Sequence, residues 1–166
     1  MVSVFIIYIS SFIIYTYTMG TNAAQFFTKE QKEDIQQAIL NAELDTSGEI
    51  KIHIENNCPG DVLDRSALLF EKLGMKKTQL RNGVLIYLAL NHRKFAIIGD
   101  SGINAVVPEN FWDNIKDDML SRFREARFSE GLILAVSKSG EQLKKYFPHQ
   151  KDDVNEISDE ISFGNN

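Results

Sequence analysis

"GVLIYLALNHRKFAIIGD", residues 83–100, decides the fold. Val84 to Leu90 is an unbroken run rich in β-formers, the composition of a strand covered on both faces. Asn91-His92 is a two-residue polar break before a second apolar run, Phe95 to Ile98, so the pair reads as an antiparallel hairpin with His92 in its turn.

Upstream, "EIKIHIE" (49–55) alternates Ile50, Ile52 and Ile54 with Lys51, His53 and Glu55. That is a strand near a sheet edge with one buried face, and His53 lies on its polar side as a solvated or helix-covered residue. After Pro59-Gly60, Leu63, Ala67, Phe70 and Leu73 share one helical face until Gly74. A helix therefore crosses between this strand and the hairpin, and the two strands it joins run parallel. Thr28-Lys29-Glu30-Gln31 fits a capping box, with Ile35, Ala38, Ile39 and Ala42 following at helical spacing, so a first helix is expected from about Lys29 to Glu43. Downstream, Pro108 opens a segment in which Trp112, Ile115, Met119 and Phe123 recur every three or four residues. A last helix begins near Ser129 and carries Leu132, Ile133, Val136, Leu143 and Phe147. The order predicts an α/β fold: a three-layer α/β/α sandwich around a short mixed β-sheet, in a single domain.

Composition narrows the function classes. The 166 residues are 43% hydrophobic and 25% charged, as in an ordinary globular domain. Of the net charge of −5, five acids (Asp152, Asp153, Glu156, Asp159, Glu160) against Lys151 place −4 in residues 148–166. The body is nearly neutral and offers no basic footprint for a phosphate backbone, so nucleic acid is not an expected partner. Cys58 is the single cysteine, which excludes an internal disulfide and a multi-cysteine zinc site. There is no Gly-x-Ser-x-Gly elbow, P-loop, HExxH or dinucleotide fingerprint, and no nucleotide or organic cofactor is indicated.

Residues 1–18 carry no charge and are rich in Ile, Phe, Val and Tyr. Three readings stand: a marginal membrane anchor, a secretion signal, or a stretch upstream of a true start at Met19. Lys29 and Lys32 follow the segment, so an anchor would keep the domain on the cytoplasmic side, and a start at Met19 would leave it cytoplasmic. Membrane association through residues 1–18 belongs to the anchor reading. At the other end, "DDVNEISDEIS" lacks the EF-hand spacing and reads as a solvated acidic tail, with Ile157, Ile161 and Phe163 available to dock on something.

Topology gathers a candidate site. Parallel strands followed by an antiparallel return bring Asp45, Ser47 and Glu49, Asn82, and Asp100 and Ser101 to one edge of the sheet. Hard cations such as Ca²⁺ or Mg²⁺ take several oxygens and draw charge balance from carboxylates. Asp45, Glu49 and Asp100 are accordingly the candidate metal ligands, with Asp100 first. The competing reading is local: Asp, Asn and Ser favour turns and caps, and strand ends are where turns occur. Gly48, Gly83, Gly99 and Gly102 fall at the same edge and suit either reading.

"RNGVLIYLALNHRKFAIIGDSGINAVVPENFWDNI", followed by "FREARFSEGLILAV", resembles the TPM domain family. The likeness runs from about Phe26 to Phe147 as an ordered series: helix, Ser-Gly-Glu strand, helix, Asn-Gly-Val-Leu strand, Arg-Lys strand, Gly-x-x-Gly-Ile turn and Phe-x-x-Gly-Leu helix. The family includes a thylakoid lumen protein, a photosystem II repair protein and a nematode receptor modulator. The resemblance implies the same sandwich, divalent-cation binding at a sheet-edge acidic site, and acid phosphatase activity in some plant members. Here Gly99-Asp100-Ser101-Gly102-Ile103 replaces the family's usual Gly-Tyr-Gly-Leu-Glu turn, and Glu109 only loosely matches a downstream acid. The segment from Leu143 to Gly164 is similar to the C-terminal extension of a bacterial branch. The leading expectation is a cation-binding module with protein partners, acting in envelope or protein quality control. The alternatives are a metal-dependent acid phosphatase and an interaction domain that works through its acidic tail.

Overall fold

The computed structural model describes residues 22–151 and 154–164 and the backbone of Phe5–Ile9. Its strands are β1 (Phe5–Ile9), β2 (Ile50–Glu55), β3 (Val84–Ala89), β4 (Lys94–Gly99) and β5 (Ser162–Phe163). Its α-helices are α1 (Lys29–Glu43), α2 (Val62–Lys72), α3 (Ser101–Asn104), α4 (Phe111–Arg124) and α5 (Phe128–Tyr146). The sheet order is β1-β4-β3-β2-β5. β2 runs parallel to β3, with Ile50 opposite Val84, and β3 turns into antiparallel β4, with Val84 opposite Gly99.

The layers follow from the parity of each strand. Ile50, Ile52 and Ile54, Val84, Ile86 and Leu88, and Phe95 and Ile97 pack with Ile35 and Ile39 of α1, Ile115, Met119 and Phe123 of α4, and Leu132 and Val136 of α5. The opposite face, Leu85, Tyr87, Ala96 and Ile98, packs on Val62, Leu69 and Phe70 of α2. Burial of these side chains contributes on the order of 2 kcal/mol each. At the start of α1 the capping box is complete: the Thr28 hydroxyl accepts from the Gln31 N–H, and the Gln31 amide oxygen accepts from the Thr28 N–H. The expected three-layer α/β/α sandwich is the fold that forms.

Each chain end adds to the sheet a strand that the sequence reading does not contain. Within residues 1–18, Phe5–Ile9 is an edge strand antiparallel to β4, with Phe5 opposite Gly99 and Ile9 opposite Phe95. Phe-Ile-Ile-Tyr-Ile is a β-branched and aromatic run, and the β4 edge offers it unpaired backbone groups. The remainder of the anchor or signal segment, and Met19, lie outside the described residues. Among the described residues no helix is long and apolar enough to cross a membrane. The acidic tail keeps Glu156 and Glu160 at the surface and docks through Ile157, Ile161 and Phe163, the three apolar positions the sequence offered. Ser162 and Phe163 add to β2 in parallel, opposite His53 and Ile54, and Ile157 is buried against the α2 layer.

Candidate functional site

The topology does bring the ends of β2, β3 and β4 together: the Val84 N–H donates to the Glu49 carbonyl (2.8 Å) and the Asp100 N–H to the Gly83 carbonyl (2.9 Å). The side chains at this edge, however, serve separate partners.

Asp100 is fully buried. Its carboxylate takes a bidentate pair from Arg81, Nε to Oδ2 at 2.7 Å and Nη2 to Oδ1 at 2.8 Å, and Oδ1 also accepts from the Ser101 N–H that opens α3. The Asp100 hydrogen bond in turn raises Arg81 above its ordinary basicity. Arg81 sits at φ 53°, in the left-handed region that costs a non-glycine residue about 1 kcal/mol. Its carbonyl receives the N–H groups of Gly102 and Ile103. A Cβ on Gly102 would lie 2.1 Å from the Leu80 carbonyl oxygen, so this glycine is required by the approach of two backbones. The Gly-Asp-Ser-Gly turn is therefore one half of a clasp whose other half is the 78–82 loop.

Asp45 lies at the surface, paired with Lys144 of α5 at 2.6 Å. Asn82 is buried, and its amide nitrogen donates to the Ser47 hydroxyl at 3.3 Å. Glu49, also buried, accepts the Glu156 N–H of the tail at 2.9 Å. Among the described residues no group of three or more His, Cys, Asp and Glu side chains stands ready-made around a metal position.

What the sequence reading missed lies beside Glu49. Glu43, the last residue of α1, accepts the Ile50 N–H at 2.6 Å and is within hydrogen-bonding reach of Asp159 from the tail. Burial pushes the Glu43 carboxyl up to about 9, with Asp159 and Glu49 adding to the rise and the Ile50 N–H opposing it. At neutral pH this carboxyl keeps its proton. These three acids line a pocket of about 330 Å³ with Thr46 and Asn155, and exposed Leu40, Leu44 and Val154 form its apolar rim. No local motif marks Glu43 or Asp159, because the contact joins positions from opposite ends of the chain.

The polar side of β2 is a second cluster. Lys51 donates to the tail carbonyls of Ser158 (2.5 Å) and Glu160 (2.7 Å), and His53 Nδ1 meets the Ser162 hydroxyl at 2.9 Å. Burial lowers both Lys51 and His53 from their ordinary values. Glu55 has no exposed surface and is held by Arg65 through two hydrogen bonds of 2.8 and 2.6 Å and by the Tyr87 hydroxyl. Burial alone would raise the Glu55 carboxyl, but these hydrogen bonds outweigh it and hold the group below the ordinary carboxylate range. His53 is thus covered by the tail as well as by α2, and the strand is buried on both faces. His92, in the hairpin turn, accepts the Cys58 N–H at 3.0 Å, which ties the turn to the segment after β2.

A family model described as TPM domain matches residues 21–142. No curated protein matches the chain. Among solved structures, the BA42 protein of the psychrophilic bacterium Bizionia argentinensis, determined by NMR, is 44% identical, with a TM-score of 0.77 over 84% of this chain and 96% of its own. With the match spanning all three layers from before α1 into α5, the chain belongs to the TPM domain family.

Proposed function

We propose that this TPM domain is a divalent-cation-binding module that holds Ca²⁺ or Mg²⁺ at the start of β2 through Glu49, Glu43 and Asp159. The observation that carries the reading is the meeting of Glu43, Glu49 and Asp159 in one pocket, where the Glu43 carboxyl is raised; the three side chains do not stand ready-made around an ion and must close on it to ligate. Burial disfavours the ionised form of Glu43, and Asp159 and Glu49 beside it add to the rise. A divalent cation relieves the same repulsion more completely and takes oxygen ligands of this kind. All three side chains offer hard oxygen donors, which suits Ca²⁺ or Mg²⁺ over softer metals. Asp45 and Asp100, the other candidate ligands, join such a site only by giving up Lys144 and Arg81.

The test is a Ca²⁺ titration of the full chain at pH 7.5, following the melting temperature with Mg²⁺ and chelator controls. Binding to the folded state alone adds about 2.7 kcal/mol of stability at a hundred times Kd, so the shift must saturate. Calorimetry in two buffers of different ionisation enthalpy should find close to one proton released per ion at this pH, because ligation requires deprotonated Glu43. The shift is expected to vanish in Glu43→Gln and Glu49→Gln and to survive in Asp100→Asn. Loss in Asp100→Asn alone would move the cation to the clasp, and no shift at millimolar Ca²⁺ or Mg²⁺ would sink the reading. A metal-dependent phosphatase would add phosphomonoester turnover that Glu49→Gln abolishes.

A further inference from the structure

Residues 154–164, mostly through their backbone, meet Lys51 and His53, two of the three polar side chains of β2, and Glu49 just before the strand. Glu49 takes the Glu156 N–H, Lys51 reaches the Ser158 and Glu160 carbonyls, and His53 meets the Ser162 hydroxyl. The β2 backbone adds a short ladder, two residue pairs and the Gly164 N–H on the Ile54 carbonyl. Apolar side chains clip the segment over the sheet edge. Ile157 packs on the α2 side, and Ile161 and Phe163 pack on the α1 and α5 side.

This is how a groove recognises an added strand: main-chain hydrogen bonds supply the attraction and a few side-chain positions supply the selection. A permanent cover would be better built from apolar residues, since buried ionic groups are costly to desolvate and add little stability. Beside the segment, an open pocket of about 350 Å³ is lined by Lys51, Leu73 and the tail residues Ile157, Ser158 and Ile161.

We infer that the polar face and outer edge of β2 form a strand-addition site for an extended segment of a partner protein, and that residues 154–164 occupy it in cis as a displaceable strap. The strap specifies the chemistry of the partner segment. It carries an aliphatic side chain at the position of Ile157 and, five and six residues on, a hydroxyl and an aromatic in place of Ser162 and Phe163. A bulkier side chain beside the aliphatic one would use the space the strap leaves open. The strap carries Asp159, so a bound cation would clamp it and its displacement would dismantle that site; the test is therefore run in metal-free buffer.

The probe is a fluorescent peptide of residues 154–164, added to the full chain and to Ile157→Asp/Phe163→Ala, which weakens the strap while leaving the groove intact. The tethered strap competes at an effective concentration in the millimolar range. The weakened chain should therefore bind the probe at least about tenfold more tightly than the parent. Adding Lys51→Met to it should remove the gain. Hydrogen exchange on the parent covers the case in which the double variant does not fold. The Glu156 and Gly164 amides should exchange at least about a hundredfold faster than those of β3, through local opening. A folded, strap-weakened chain that ignores the probe, or tail amides that exchange only with β3, would overturn the inference. A concentration-dependent dimer of the parent with exchanged tails would overturn the assignment to a separate partner.

Discussion

Asp100 and Arg81 show how one residue pair can carry two plausible stories. An acid after a strand, flanked by glycines, has the composition of a cation site, yet this carboxylate has both oxygens engaged by a guanidinium 19 positions earlier. The pair is asymmetric, because Asp100 has no exposed surface and the Arg81 side chain is 38% exposed. Removing the arginine strands a buried charge, whereas removing the acid returns an arginine to water. Arg81→Ala should accordingly cost about 2 kcal/mol in urea unfolding. Arg81→Gly should recover about 1 kcal/mol of that loss by relieving the left-handed backbone. Equal stabilities for the two variants would show that the backbone at residue 81 is not strained. A loss under about 0.5 kcal/mol in both would show that Asp100 finds another partner.

Among the elements, the helices and central strands were legible because their signals are local. The Thr28 capping box, the spacing of Trp112, Ile115, Met119 and Phe123, and the apolar run at Val84–Leu90 each lie within one element. β2 was read half correctly. Its alternation reports an apolar face truthfully, but the polar face is buried too, under α2 and a segment 107 to 109 positions away. Period-two patterning says which face is polar and nothing about what covers it. The short α3 went unread because four residues carry no periodicity. Its position rests on the clasp, where the Gly102 Cα lies against the Leu80 carbonyl with no room for a methyl group. Gly102→Ala should cost about 2–3 kcal/mol, through displaced backbone, and thermal melting would show it as a lowered midpoint. A melting curve matching the parent would mean that the two loops can separate at no cost.

For the whole molecule, the acidic pocket couples stability to pH. Glu43 is raised from 4.5 to about 9 in the fold, so between those values the folded chain binds a proton that the unfolded chain does not. The Glu43 contribution to stability therefore falls as pH rises from about 4.5 to about 9 and levels off above, while His53 and Lys51, both lowered by burial, contribute in the opposite sense. Glu43→Gln keeps an acceptor for the Ile50 N–H and can donate to Asp159, so it should be the more stable chain at pH 8 by about 1–3 kcal/mol. The fall that Glu43 contributes across that range should be absent from it. A variant that tracks the parent at every pH would show that Glu43 is ionised in the folded protein.

The sequence by itself determined the sandwich, the order of its four long helices and three central strands, and the edge at which β2, β3 and β4 end, because periodicity, caps and crossover rules act over a few neighbouring residues. Tertiary structure decided the rest: the pairing of Asp100 with Arg81, the meeting of Glu43 with Glu49 and Asp159, and the closure of both sheet edges by the chain ends. These contacts join positions with no sequence relation. Whether a carboxylate binds a cation, keeps a proton or pairs with an arginine depends on the desolvation and neighbouring charge that only the folded chain supplies.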